Sequence, residues 1–153
     1  KNTTTSKNNT SSNKSNTNKK PSNSSGSYQG ASGLLSLVNS TRKSAGVGNV
    51  SWSSSLENAA KTRAKELATS YSHTRPNGTQ WSTAFADFGL KQGTIIMIGE
   101  NIAYGYPTAA SVSEGWKNSE GHYKNMIDQG FNKIGIGVAY VNNKYYWAQA
   151  FSN

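Results

Sequence analysis

The first 27 residues contain no side chain that could build a hydrophobic core. None of Leu, Ile, Val, Phe, Trp, Met or Tyr occurs before Tyr28, and the segment is almost wholly Asn, Ser, Thr and Lys. Such a composition cannot bury enough apolar surface to offset the entropy of ordering the chain. We therefore predict that residues 1–27 form a disordered linker and that residues 28–153 form one folded domain, a common domain size.

Positive charge is concentrated in this linker. Five lysines before residue 27 carry more than half of the formal net charge of +9, which leaves +4 for the rest of the chain. Nucleic-acid binding requires a dense basic stripe, and residues 28–153 contain none, so we expect no nucleic-acid partner. A basic, polar spacer suits contact with an anionic cell wall, although a featureless tether explains the same segment equally well.

Two further classes of protein are excluded by composition. The chain has no cysteine, so it can form neither disulfides nor thiolate metal sites. No run of about 18 apolar residues is present, so we predict no transmembrane helix. A charged start followed by an apolar segment is also missing, which means that any signal peptide is absent from this chain.

Apolar residues recur at helical spacing in four segments. The predicted helices cover residues 32–45, 54–68, 82–88 and 109–118, with one or two helical turns inside 119–126. Ser54 and Glu57 form a capping-box pattern, and Thr108 is a suitable cap for the fourth helix. Residues 71–80 contain Pro, Asn and Gly in succession and are predicted to form a loop.

The remaining apolar runs predict three strands, at residues 95–103, 134–139 and 145–151. Asn142 and Asn143 provide a two-residue hairpin turn between the last two strands. Glu100 is expected at or just inside the end of the first strand. The order of helices, strand, helix and hairpin favours an α+β fold with an antiparallel sheet over a doubly wound parallel one.

Few residues could bind a metal or transfer a proton. His73 and His122 are the only histidines, and Glu100 stands in a Gly-Glu-Asn context. A neutral imidazole can bind a divalent metal through one nitrogen while a carboxylate fixes the other. A single histidine is more often a hydrogen-bonded structural residue, so these residues alone leave both interpretations open.

Seven sequence motifs occur together in one order along the chain. They are LLSLVNSTR, SWSSSLENAAKTRAKELA, SHTRPNG, GENIAYG, EGWKNSEGHYKNM, IGIGVAY and YYWAQAFS. From Leu34 to Phe151 the chain thereby resembles the CAP superfamily of cysteine-rich secretory proteins, antigen 5 and plant pathogenesis-related proteins, and is most similar to its short bacterial branch. The resemblance implies an extracellular protein with a three-layer α-β-α sandwich around a central antiparallel sheet.

The resemblance also implies a groove holding two histidines and two acids, whose histidines bind a divalent metal such as zinc in some members. His73, Glu100 and His122 match three of these positions. The fourth, three residues after Trp116, is Ser119 here. Glu114 and Glu120 are the acids available as substitutes, but neither stands at the expected offset.

Several neighbouring residues have structural interpretations. Trp116 is more often a core or groove-wall residue than a ligand platform. Asn101 and Asn125 are expected to satisfy backbone groups beside the groove. Arg75 is a loop residue that could hold an anion.

Three functions remain open. A binding module would take an extracellular peptide, glycan or lipid in the groove. A metal-assisted hydrolase would use His73 and His122 as metal ligands and Glu100 as general base, although two protein ligands are fewer than catalytic zinc usually has. Ser119 as a nucleophile is the weakest variant, because no nucleophile-elbow motif surrounds it. A wall-associated structural or adhesion protein would make no use of the histidines.

Overall fold

A computed structural model describes residues 29–90 and 97–153. Over these residues five helices and four strands follow one another. They are α1 (Gln29–Ser44), β1 (Ser51–Trp52), α2 (Ser54–Thr69), α3 (Thr83–Ala86), β2 (Ile98–Tyr104), α4 (Ala109–Lys117), α5 (Glu120–Ile127), β3 (Lys133–Val141) and β4 (Lys144–Ser152). The predicted linker and the first two residues of the strand predicted at 95–103 lie outside the described residues.

The four strands form one sheet in the order β1-β3-β4-β2. β4 runs antiparallel to both β3 and β2, which confirms the central antiparallel sheet. Asn142 and Asn143 have φ angles of 49° and 60°, as the predicted two-residue hairpin turn requires. β1, which the sequence did not predict, adds two residues parallel to β3 and makes the sheet mixed.

Helices cover both faces of the sheet. α2 and α3 pack on one face, where their apolar side chains join Ile102, Ala148 and Ala150 in one buried cluster. α1, α4 and α5 pack on the other, around Trp147 and Phe151. The alternation of β4 side chains between the two clusters confirms the predicted three-layer α-β-α sandwich. None of the described helices is both long enough and apolar enough to span a membrane.

Two glycines of β3 allow α2 to lie directly on the sheet. A Cβ atom at Gly135 would collide with the backbone of Leu56 and Glu57, and one at Gly137 would collide with the backbone of Ala60. α2 contributes alanines to this contact, so small residues lie on both sides of it. The alternation of Gly with Ile and Val in β3 is therefore a packing pattern that positions α2, the helix behind the site.

The predicted capping box of α2 is wrong by one residue. Ser53, not Ser54, caps the helix, with its hydroxyl accepting a hydrogen bond from the Leu56 amide at 3.3 Å. Pairing of β1 with β3 continues into a bond from the Ser53 amide to the Ile134 carbonyl, which keeps Ser53 extended as a cap must be. Glu57 instead accepts from the Trp52 indole at 2.9 Å.

Candidate functional site

Glu100 lies inside a strand and not near its end, which corrects the expectation from sequence. β2 pairs with β4 over all seven of its residues, and Glu100 is the third of them. Its side chain faces α2 and is only 1% exposed. A carboxylate buried to this degree needs partners for both of its oxygens.

Arg63 of α2 supplies most of those partners. Its Nε donates to Oε2 of Glu100 at 2.8 Å and its Nη2 to Oε1 at 3.3 Å, forming a two-pronged pair. The Arg63 side chain is fully buried and also donates to Glu66 at 2.7 Å and to the Ser72 carbonyl at 2.7 Å. The sequence analysis did not predict that Arg63 would bind Glu100. The available signal was the position of Arg63, a charged residue on the apolar stripe of α2.

The ion pairs continue away from Glu100. Glu66 accepts from Arg75 at 2.8 Å, and Arg75 also donates to Asp87 at 3.0 Å. Burial alone would raise the pKa of Glu66, but hydrogen bonds from Arg75 and Arg63 hold that pKa below its usual value. Arg75, predicted as a loop residue able to hold an anion, therefore donates from its guanidinium to carboxylates of the same chain.

His73 follows α2 and contacts the exposed side of Glu100. Its Nδ1 lies 2.9 Å from Oε1 of Glu100, while the imidazole is 52% exposed. A neutral ring that donates from Nδ1 to the carboxylate keeps an unprotonated Nε2 for a ligand. Glu100 therefore contacts the Nδ1 edge of the ring, and about half of the imidazole remains exposed to solvent.

His122 lies in the first turn of α5, on the other side of β2. Burial and, after it, the nearby charge of His73 lower the pKa of His122, so its imidazole is neutral at pH 7. The second cause shows that the charge of His73 acts on His122. A shared site for the two imidazoles stays a prediction.

Buried amides attach α5 to β2. Asn101 donates to the His122 carbonyl at 3.1 Å and to Gln149 at 2.9 Å, and it accepts from Asn125 at 2.9 Å. Asn125 also donates to the Glu100 carbonyl at 3.4 Å. Within the described part of the chain, Nε2 of Gln149 is buried without a hydrogen-bond partner. Asn101 and Asn125 thus bond backbone groups beside the groove, and they fix the backbone that carries His122.

A groove of about 500 Å³ runs along the outer edge of β2. The residues that line it come from the loop after α2, from β2 and its following loop, and from α4 and α5. They are Tyr71, Ile102, Ala103, Tyr104, Gly105, Tyr106, Gly115, Trp116, Ser119 and His122. Aromatic rings and hydroxyls therefore dominate its wall, with one imidazole at the α5 side.

Gly115 lets Tyr106 pack against α4 in the wall of this groove. A Cβ atom there would lie 2.5 Å from the hydroxyl oxygen of Tyr106, so only glycine lets the phenol rest against α4. Trp116, the next residue, is buried and donates from its indole to the Ile102 carbonyl at 3.1 Å. It is a groove-wall residue, which was the interpretation favoured from sequence.

The structure does not bring Glu114 or Glu120 to the histidines. Glu114 is 61% exposed and lies 3.7 Å from Lys117, while Glu120 is 83% exposed and lies 2.7 Å from Lys124. Both carboxylates pair with lysines of their own helix. Ser119, at the fourth family position, lines the groove as the N-cap residue of α5, and its hydroxyl makes no capping hydrogen bond.

His73 and His122 are the only imidazoles that a metal site in this chain could use. Within residues 29–90 and 97–153 no group of three or more His, Asp or Glu side chains is arranged to hold a metal ion. The His73–Glu100 bond is nevertheless the arrangement that orients metal-binding imidazoles in proteins. If an ion binds here, His73 and His122 would hold it, and it would supply a Lewis acid.

The sequence matches a known family over most of its length. The model of the cysteine-rich secretory protein family (CAP) matches residues 35–151. The uncharacterized protein YkwD of Bacillus subtilis is 30% identical over 120 residues, which are 77% of this chain and 45% of YkwD.

Solved structures agree with the fold. An extracellular SCP-domain protein of Bacillus anthracis has a TM-score of 0.71 and 25% identity, over 81% of this chain and 40% of that one. An outer surface protein of Borrelia burgdorferi has a TM-score of 0.70 and 22% identity, over 80% of this chain and 90% of its own. The chain thus spans less than half of the two Bacillus proteins. Because the family match covers most of its residues and the fold agrees, this chain belongs to the cysteine-rich secretory protein (CAP) family.

Proposed function

We propose that this chain is an extracellular binding module whose groove beside β2 holds a peptide, a glycan or a lipid. The groove itself carries the proposal, because its volume of about 500 Å³ and its wall of aromatic rings with hydroxyls and one imidazole are suited to hold a ligand. Similarity to an extracellular protein of Bacillus anthracis supports the location. Contact of the basic residues 1–27 with an anionic wall would keep the groove near wall polymers.

The geometry supports binding better than hydrolysis. Both oxygens of Glu100 accept hydrogen bonds from Arg63 or His73, and the carboxylate is 1% exposed, so it has no free access to a bound water. A general base must reach the proton that it removes. The test is turnover of peptide or ester libraries. If the wild type turns over a substrate, and Glu100→Gln loses turnover but still binds the ligand, the chain is a hydrolase and not a binding module.

Blocking the groove should abolish binding. Ser119 is half-buried at the groove wall, and its side chain makes no capping hydrogen bond to α5. Ser119→Trp should therefore fill the cavity without weakening α5. Ser36→Trp, on the exposed side of α1, is the matched control. Titrations monitored by tryptophan fluorescence or calorimetry should use three ligand classes: hexasaccharides, short peptides and a fatty acid.

The expected result is saturable binding of at least one class by the wild type and by Ser36→Trp, and at least a tenfold loss in Ser119→Trp. Thermal unfolding verifies that both variants are folded. If no class binds, or if every observed binding survives Ser119→Trp, the groove is not the ligand site.

We also propose that His73 and His122 bind a divalent metal, with zinc as the first candidate. The hydrogen bond between Nδ1 of His73 and the accepting carboxylate of Glu100 supports this second proposal. Calorimetric titration of zinc should show one saturable site in the wild type and none in the His73→Ala, His122→Ala double variant. Protons compete for neutral imidazoles, so affinity should fall below about pH 6.5. A flat affinity from pH 5 to 8, or equal binding by the double variant, would contradict ligation by these residues.

A further inference from the structure

We infer that the groove binds a neutral oligosaccharide chain, of the β-1,4-linked type whose sugar rings present flat apolar faces, with Tyr71 and Tyr104 as its stacking platform. This inference rests on the proposed function, since it names the ligand class of the same groove. Four features of the groove support it. They are two exposed tyrosine rings in mutual contact, a wall without Asp, Glu, Lys or Arg, hydroxyl groups that a ligand can use, and outward-facing carbonyls of β2 that already accept hydrogen bonds.

Two exposed phenol rings stand together at one side of the groove. Tyr71 is 46% exposed and Tyr104 is 48% exposed. Their ring centroids lie 4.7 Å apart in an edge-to-face arrangement, and the Tyr71 hydroxyl donates to the Ile102 carbonyl at 3.3 Å. Aromatic surface held rigid in water loses little entropy on binding, and the apolar faces of sugar rings are suited to stack on it.

The wall of the groove has no carboxylate, ammonium or guanidinium side chain. None of its lining residues, all of them within the described ranges, is Asp, Glu, Lys or Arg. The Lys144 ammonium stands at the margin, 5.0 Å from the centre of the Tyr104 ring. A neutral ligand loses the least hydration energy in such a site.

Polar groups are present that a ligand rich in hydroxyls can use. The Ser119 hydroxyl makes no capping bond, and the His122 imidazole lines the same wall. The Tyr106 hydroxyl lies against Gly115. Each can donate and accept in the way that sugar hydroxyls require. A fatty-acid chain would bury these groups without partners, which disfavours a lipid.

An extended peptide is disfavoured because the edge of β2 is already occupied. The bond from the Gly105 amide to the Tyr145 carbonyl shows which residues face β4, and it leaves the backbone of Glu100, Ile102 and Tyr104 facing outward. The Ile102 carbonyl accepts from the Trp116 indole and the Tyr71 hydroxyl. The Glu100 carbonyl accepts from Asn125. A peptide added as a further strand would compete for these acceptors.

The test is calorimetric titration of the folded chain with chitohexaose and cellohexaose, both β-1,4-linked, and with maltohexaose, its α-linked counterpart. We expect saturable binding of at least one β-linked sugar, and no comparable binding of maltohexaose. Tyr71→Ala and Tyr104→Ala should each weaken the affinity about tenfold, equivalent to about 1.4 kcal/mol. Tyr71→Phe and Tyr104→Phe, which keep the rings, should retain most of it.

Tyr140→Ala is the matched control, because Tyr140 is also 48% exposed and pairs with another tyrosine, Tyr145, at 4.5 Å. It should bind like the wild type. Absence of binding to both β-linked sugars, equal binding of maltohexaose, or affinity unchanged in both platform alanine variants would each overturn the inference. If peptides or fatty acid bind and are blocked by Ser119→Trp while sugars do not bind, the glycan inference fails and the binding module stands.

Discussion

Arg63 keeps a carboxylate charge in the interior of the protein. Its guanidinium contacts Glu100, Glu66 and the Ser72 carbonyl, and no part of the side chain reaches solvent. Removing one partner of a buried pair leaves the other charge uncompensated, which costs far more than an exposed pair contributes. Glu100, and through it the orientation of His73, therefore depend on a residue of α2 that never reaches the groove.

Arg63→Met should lower the free energy of unfolding by about 3 to 5 kcal/mol, because Glu100 would be left buried with His73 alone. Guanidinium chloride unfolding at pH 7 measures the change. Lys61→Met is the matched control on the same helix: it removes the Lys61–Glu57 pair, whose lysine is 41% exposed, and should cost no more than about 1 kcal/mol. Similar losses in the two variants would contradict a special role for Arg63.

Only some of the individual residues of the site could be predicted from the sequence. The expected grouping of His73, Glu100 and His122 came from motif resemblance, because nothing in the spacing of three distant residues places them together. Arg63 was visible as a charged residue on an otherwise apolar stripe of α2. Its partners depended on how α2 lies across β2, which is a tertiary property. The exposure of Glu114 and Glu120 likewise depends on how α4 and α5 are oriented in the fold, which is also a tertiary property.

At the scale of elements, the contact of α2 with β3 depends on the absence of side chains. Gly137→Ala should destabilise the domain by about 2 to 3 kcal/mol, because the new methyl group would collide with the Ala60 backbone and force the helix away. Gly33→Ala in α1 has no atom within 4 Å of its new Cβ and should instead stabilise by about 1 kcal/mol. Thermal and denaturant unfolding compare the two, and a neutral Gly137→Ala would contradict this packing.

Periodicity and caps predicted the long elements, because α2 and the β3–β4 hairpin are specified by local residues. Thr108 caps α4 as expected, with a hydrogen bond from the Ser111 amide at 3.1 Å. The misplaced cap at Ser54 has a non-local cause, since pairing with β3 extends the chain through Ser53. β1 was missed for a similar reason: two residues carry no alternation, and only the partner strand makes them a strand.

At the scale of the whole molecule, the ion pairs join β2, α2, the loop that carries Arg75, and α3. The lowered pKa of Glu66 means that the folded state binds fewer protons than the unfolded state in acid. This contribution to stability is present above the unfolded carboxyl pKa of about 4.3, and it is lost as pH falls through the lower folded value.

Wild-type stability should therefore decline from about pH 5 to pH 3, and Glu66→Gln should decline less steeply over that range. Denaturant unfolding at several pH values gives both slopes. Glu66→Gln should also be less stable than the wild type at pH 7, because Arg75 and Arg63 lose their shared acceptor. Parallel slopes for the two proteins would contradict the role given to Glu66.

The side chains that cover the outer carbonyls of β2 also govern how copies of this domain meet. An uncovered sheet edge is a template on which another chain can polymerise. Here the Trp116 indole and the Tyr71 hydroxyl occupy one edge of the sheet, and the strand at the other edge, β1, has only two residues. The outer edge of β2 therefore offers no continuous ladder to a second copy, which protects this edge against fibrillar growth at high concentration.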